Sequence, residues 1–365
     1  MYTQYTLGDV CSRLSSGKSI SASEVTDKGL FPVYGGNGLR GYADKSNFTG
    51  ECAIIGRQGA FCGNVHYFSG EAYMTEHAVV VCANEEHNTR YLAYLLSQMN
   101  LGRLSGQSAQ PGLSVKTLAK QCINLPPLEI QNKIVSVLAS LDSKIYCNQK
   151  INDNLEQQLH QLFIQTFNGC DTNITLGKVV KTTSGGTPAR KHREYYSNGT
   201  INWVKSKELT GQYLFDTEES LTSLGVAMSS AKILPAHSVL IAMYGATVGE
   251  HGITTKEMAC NQAICALLEN KDYPYTYLFQ IAKENQQNLV NLAIGSAQQN
   301  ISQILLKQLP VHSDVATIHQ YHCLALPLHK EIELLQSENR LLNTTRDALL
   351  PELMTGELDL SSVDF

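Results

Sequence analysis

The segment Leu128–Phe167 constrains the chain more than any other, because it carries one apolar stripe without interruption. Ile134, Leu138, Leu141, Ile145, Asn148, Asn152, Leu155, Leu159 and Leu162 follow one another in alternating steps of four and three, the spacing of a coiled-coil seam. A helix with such a seam needs a partner. Leu328, Ile332, Leu335, Asn339, Leu342 and Leu349 repeat the alternation downstream, broken only by Arg346. Polar residues in a seam cost stability but fix register, so Asn148, Asn152 and Asn339 read as alignment devices. Pro327 is expected to start or kink the second helix.

More than the helices repeats. Thr6-Leu7-Gly8-Asp9-Val10 returns as Thr175-Leu176-Gly177-Lys178-Val179, and Gly59-Ala60-Phe61-Cys62-Gly63 as Gly245-Ala246-Thr247-Val248-Gly249. Ser108-Ala109-Gln110 with Leu113-Ser114 matches Ser296-Ala297-Gln298 with Ile301-Ser302, and Leu125-Pro126 matches Leu309-Pro310. A repeat this long is a duplicated domain, not a solenoid. The expected layout is a globule over 1–127, a long helix over 128–168, a second globule over 169–311, a second helix over 312–350 and a tail over 351–365. Strand-then-turn patterns such as Cys52-Ala53-Ile54-Ile55 before Gly56, and Val239 to Met243 before Tyr244, follow in close succession without βαβ alternation. The class is therefore α+β. If the second helix returns to pair with the first, the two are antiparallel and hold the globules apart about a pseudo-two-fold axis.

With 365 residues there is length for two domains with their own cores. No apolar run is long enough to cross a membrane, and the first residues lack the basic start and apolar core of a secretory signal. The ten cysteines contain no C-x-x-C pair, and they read as reduced thiols in a cytoplasm. A net charge of −5 argues against a free-standing nucleic-acid binder. Locally the balance reverses. Between Leu176 and Lys207 stand Lys178, Lys181, Arg190, Lys191, Arg193, Lys205 and Lys207 against the single acid Glu194, a segment suited to phosphate contact.

Catalytic signatures are missing. Gly36-Asn37-Gly38-Leu39-Arg40-Gly41 fits G-x-G-x-x-G, but no helix pattern opens on it, so it reads as a glycine-rich turn. Gly17-Lys18-Ser19 fails as a phosphate loop because the first glycine would fall at Ser12. Asp272-Tyr273-Pro274-Tyr275 reads as a turn, with no cofactor fingerprint ahead of it. His319, His322 and Cys323 could share a helical face, yet no second ligand pair is in sight, and neither metal nor cofactor is expected.

Leu125-Pro126-Pro127-Leu128-Glu129-Ile130-Gln131, the run from Arg346 to Leu358 and the Thr-Leu-Gly domain starts, in this duplicated order, resemble the specificity subunit of type I restriction-modification systems. The resemblance covers nearly the whole chain. It implies two target-recognition domains that each read half of a bipartite site in double-stranded DNA. It also implies docking of two methyltransferase subunits, motor and nuclease subunits in the full complex, and no catalysis by this chain. Arginine reads guanine while asparagine and glutamine read adenine. Arg57, Gln58, Arg103, Gln107 and Gln110 supply such groups in the first domain. Tyr244, Gln298, Gln299 and Asn300 stand in the corresponding loops of the second, with Arg190, Lys191, Arg193, Lys205 and Lys207 as backbone contacts and Trp203 between them. The rival reading, a coiled-coil scaffold carrying two small ligand-binding domains, draws support from the acidic net charge.

Overall fold

The structure, a computed structural model, describes residues 2–105, 112–294 and 300–360. Two compact units divide the chain, Met1–Ile145 with Leu341–Phe365, and Tyr146–Arg340. The division falls inside both long helices, so each unit owns a stretch of each.

The first unit contains strands β1 (Thr3–Thr6), β2 (Cys11–Ser16), β3 (Phe31–Gly35), β4 (Gly38–Ala43), β5 (Phe48–Gly56), β6 (Val65–Met74), β7 (Ala78–Ala83) and β8 (Cys122–Leu125). Helices α1 (Thr89–Gln98) and α2 (Val115–Ala119) precede the long helix α3 (Leu128–Phe167). Six strands form one sheet in the order β2-β7-β5-β6-β3-β4, with β3 parallel to β6. Alternate residues of β5 and β7 serve two cores. Ala53, Ile55, Val79 and Val81 pack with Tyr91, Leu92 and Leu96 of α1 and with Ile134 and Leu138 of α3, while Cys52, Ile54, Ala78 and Val80 join Phe48 and Met74 on the other face. Successive strand side chains point to opposite faces, so a sheet covered on both sides reads as unbroken apolar runs.

Two side chains tie α1 to the start of α3. Asn88 caps α1 by accepting from the Tyr91 N–H at 3.0 Å. Gln131, fully buried, donates to the Pro126 carbonyl at 2.9 Å and accepts from the Asn88 N–H at 2.9 Å. An unsatisfied amide there would cost about 1–3 kcal/mol.

The second unit contains β9 (Ile174–Thr175), α4 (Leu176–Val179), β10 (Lys181–Ser184), β11 (Ile201–Val204), β12 (Gln212–Leu214), β13 (Ser220–Leu221), α5 (Ser223–Ala227) and β14 (Ile233–Leu234). After these come β15 (Val239–Ala242), β16 (His251–Thr254), β17 (Met258–Cys260), β18 (Ile264–Leu268), α6 (Tyr275–Ile294), α7 (Gln303–Lys307), β19 (Pro310–Val311) and α8 (Val315–Thr355). Its main sheet runs β10-β18-β15-β16-β12, with β12 parallel to β16. That order, and the place of the parallel pair, match β2-β7-β5-β6-β3 of the first unit. A second sheet, β13-β11-β17-β14 around Trp203, has no counterpart among the described residues of the first.

Of the two readings of Pro327, as start or as kink, the structure sets aside the first, since α8 begins at Val315. Asp314 caps the helix, its carboxylate accepting from the Ala316 N–H at 3.0 Å and from the Thr317 hydroxyl at 2.6 Å. Pro327 lies exposed in the interior. A proline there removes one helical hydrogen bond at about 3 kcal/mol, and the buried Tyr321, Ala325, His329 and Ile332 on the opposite face hold the helix together. It runs on through Pro351 to Thr355, beyond position 350 where the sequence pattern ends it.

Within each unit the two long helices run antiparallel. Asp142 meets Arg346 at 3.1 Å in the first, and Asn148 donates to Glu338 at 2.6 Å in the second. Leu138, Ile145, Asn148, Asn152, Leu159, Ile332, Leu335 and Asn339 are buried, while Leu141, Leu155, Leu162, Leu328, Leu342 and Leu349 are half-buried. In the first unit Leu350 is buried beside the half-buried Leu349, and in the second two places differ from the seam pattern. Phe163 and Phe167 take the buried positions beside Leu162, and His329 the one beside Leu328. A straight helix drifts away from a strict seven-residue repeat, and at these ends the stripe follows the packing of the second unit's aromatic core.

Candidate nucleic-acid interface

The repeated Gly-Ala-x-x-Gly segment makes the same turn twice, hydrogen bond for hydrogen bond. In the first unit the Arg57 N–H donates to His77 O at 3.0 Å, Leu113 N–H to Arg57 O at 2.8 Å, and Gly63 N–H to Gly56 O at 2.8 Å. In the second the Met243 N–H donates to Ala263 O at 2.8 Å, Ile301 N–H to Met243 O at 2.9 Å, and Gly249 N–H to Ala242 O at 3.0 Å. Gly59 and Gly63 have φ of 76° and 88°, Gly245 and Gly249 of 70° and 84°. Side chains rarely adopt such angles, so these glycines are frame. Gln58 bridges to Gly112 and Tyr244 to Asn300, each tying the turn to the segment behind it.

What stands on the frame differs. Gln58 and Phe61 are exposed in the first unit, where the second presents the exposed Tyr244 and the half-buried Thr247. Arg57 is half-buried with its guanidinium 3.4 Å from the Ser16 hydroxyl, whereas Met243, its counterpart, is buried. Arg103 is exposed on the turn Leu101–Leu104, which lies against Gly63. Asn300 is exposed beside Tyr244. Gln107, Gln110, Gln298 and Gln299 lie outside the described residues.

The basic segment looks different once folded. Arg190 stacks over Tyr196 at 4.5 Å and Trp203 at 5.2 Å and pairs with Glu219. Lys205 reaches Glu219 at 2.7 Å and Glu218 at 3.1 Å, and Lys207 reaches Glu218 at 2.7 Å. Arg190 first, and then Lys205, hold the Glu219 carboxyl down at about 2. Acids from beyond the segment thus neutralise three of its cations. Lys178, Lys181, Lys191 and Arg193 remain exposed without an ion pair among the described residues, which leaves four open cations for phosphate contact. Trp203 is buried, its indole N–H donating to Gly186 O at 3.0 Å.

In the first unit a second charged knot closes the helix pair. Asp142 accepts from Arg346 at 3.1 Å, from Arg90 at 3.2 Å and from the Tyr94 hydroxyl, and Arg90 lies over the Tyr67 ring at 4.8 Å. His319 and His322 meet Lys271 O and the Thr276 hydroxyl at 2.8 and 2.9 Å. Among the described residues no group of three or more His, Cys, Asp or Glu is placed to hold a metal, and no helix is long and apolar enough to cross a membrane.

Comparison with known proteins finds the same duplication. The family described as "Type I restriction modification DNA specificity domain" matches residues 2–157 and again 172–312. A type I restriction enzyme EcoprrI specificity subunit of Escherichia coli is 39% identical over 142 residues, 38% of this chain and 35% of that protein. A putative type I specificity subunit of Mycoplasma pneumoniae is 25% identical over 57% of this chain and 60% of its own length. The MjaIX specificity subunit of Methanocaldococcus jannaschii is 26% identical over 74% of this chain and 69% of its own. The matched stretches therefore span from about a third to about two thirds of these relatives. The crystal structure of a type I restriction-modification S subunit from M. genitalium shares the fold, with a TM-score of 0.66 at 16% identity over 97% of this chain and 96% of that one. Matched twice in succession by that family over most of its length, and built on a twice-made turn, the chain belongs to the type I restriction modification DNA specificity domain family.

Proposed function

We propose that the chain is the sequence-specificity subunit of a type I restriction-modification complex, each domain reading one half of a bipartite site in double-stranded DNA. It contributes recognition while two methyltransferase subunits contribute the chemistry, and motor and nuclease subunits join that core. The observation that carries this is the twice-made turn: one backbone repeated with different exposed side chains, Gln58 and Phe61 against Tyr244 and Thr247. Two domains that read different half-sites need a shared frame and unshared readers. With a net charge of −5 the chain alone neutralises few phosphates, so most affinity comes from the assembled complex.

Mapping methylated positions in a host genome with and without the chain tests this. The expected pattern is two short sequence blocks separated by a fixed, unread gap, disappearing with the chain. A single contiguous block, or methylation that does not depend on the chain, would contradict the proposal. A gel shift with a degenerate duplex pool separates it from the scaffold reading, since retention should need the methyltransferase subunits.

A further inference from the structure

Three loops of the first unit meet at one end of its strands. The β3–β4 hairpin turns through Gly36 and Asn37, the 58–61 turn follows β5, and the β6–β7 turn carries His77. They are locked by close backbone approach. A Cβ on Gly56 would sit 2.3 Å from Phe61 O and 2.4 Å from Gly36 O, and one on Gly36 would sit 3.1 Å from His77 O. No side chain fits between them, so the groups they carry are held in fixed relation.

Those groups surround a concave opening of about 420 Å³ lined by Asn37, Arg40, Gln58, Phe61 and His77. Arg40 projects from β4 with its stem over Gly35, whose Cβ would lie 2.6 Å from the Arg40 Cδ. It is exposed and makes no hydrogen bond or ion pair among the described residues. Arg190 and Lys205 of the second unit are by contrast consumed by Glu219. Asn37 and Gln58 are exposed amides without side-chain partners among the described residues, and Phe61 offers an exposed apolar face. A forked cation, two amides and an aromatic ring on a rigid rim match the donor and acceptor pattern of base edges in a major groove. On the frame of the second unit Tyr244, Thr247 and Ala263 replace Gln58, Phe61 and His77.

We propose that this opening is the base-reading site of the first domain and that Arg40 reads a guanine in its half-site. The inference rests on the DNA-specificity reading above and adds the residue and the base. Arg40 uses its paired N–H groups on guanine O6 and N7, which a point charge cannot reproduce.

The test uses the full chain with the methyltransferase subunits of its host and a duplex pool degenerate across the target. Arg40→Ala should melt like the wild type, since the side chain is exposed and unpartnered. It should lose selection at one base pair of one half-site by on the order of ten- to a hundredfold, leaving the other half unchanged. Arg40→Lys should lose the same selection, and Asn37→Ala should weaken selection within that half only. An unchanged target in Arg40→Ala, with binding weakened alike for every sequence, would mark a phosphate contact and overturn the proposal, as would full selection in Arg40→Lys, which would show that the forked pair of donors is not used. A wild-type complex that selects no sequence would overturn the specificity reading itself, and Arg40's role with it.

Discussion

At the end of β5 the first unit has Gly56, and at the same point of β15 the second has Ala242, buried without strain. The turns that follow make the same hydrogen bonds, so the difference lies in what docks on them. The first unit brings the Gly36 carbonyl within 2.4 Å of where a Cβ would stand, because its β3–β4 hairpin packs there. The second puts its extra chain into the separate sheet around Trp203 instead. One frame thus carries two elaborations, and a residue that is free in one unit is forced in the other.

Exchanging the two residues should give the largest effect. Gly56→Ala should destabilise the first unit by about 1–3 kcal/mol or more, because two backbone carbonyls must move. Ala242→Gly should cost only about 0.5–1 kcal/mol through lost chain stiffness. Thermal melting with hydrogen exchange, which assigns the loss to a unit, checks both. Equal effects would show that the hairpin does not lock the turn.

The helix pairs differ as well, a charged knot in the first unit and buried asparagines in the second. Asp142→Ala leaves Arg90 and Arg346 without their shared acceptor and should cost about 1–3 kcal/mol. Asn152→Leu should act in the opposite direction. Asn152 is buried with its Oδ1 lacking a partner, so an apolar replacement should raise stability by about 1 kcal/mol while loosening register. A loss of stability in Asn152→Leu would count against the alignment role.

The smallest effect is in acid. Glu219 is held at about 2 against an ordinary 4.5, so the pairing is fully present above about pH 4.5 and is lost as pH falls through about 2. Being partly exposed, it contributes under ~1 kcal/mol. Denaturation curves of the wild type and Glu219→Gln should differ above pH 4.5 and converge near pH 2.

The seam and the repeated glycines were legible because their signals are local: spacing along a helix, and positions that demand positive φ. Signals set by distant partners were not. The ion pairs of Arg190, Lys205 and Lys207 have no mark in their own segment because Glu218 and Glu219 lie beyond it, and β3 beside β6 is a long-range pairing with no mark in local alternation. Asp314 stands directly ahead of Val315, the first residue of α8, a capping signal that the louder Pro327 obscured. Arg40 sat in a segment read only as a glycine-rich turn. Nothing in that turn tells that Gly56 and His77 fold against it.

Replacing residues 169–311 with the matching domain of a relative, in the assembled complex, tests the central claim most directly, namely that each domain reads its own half-site on a common frame. Methylation mapping should show one sequence block changed and the other, read by the first unit, retained. A swap that changes both blocks, or neither, would contradict it.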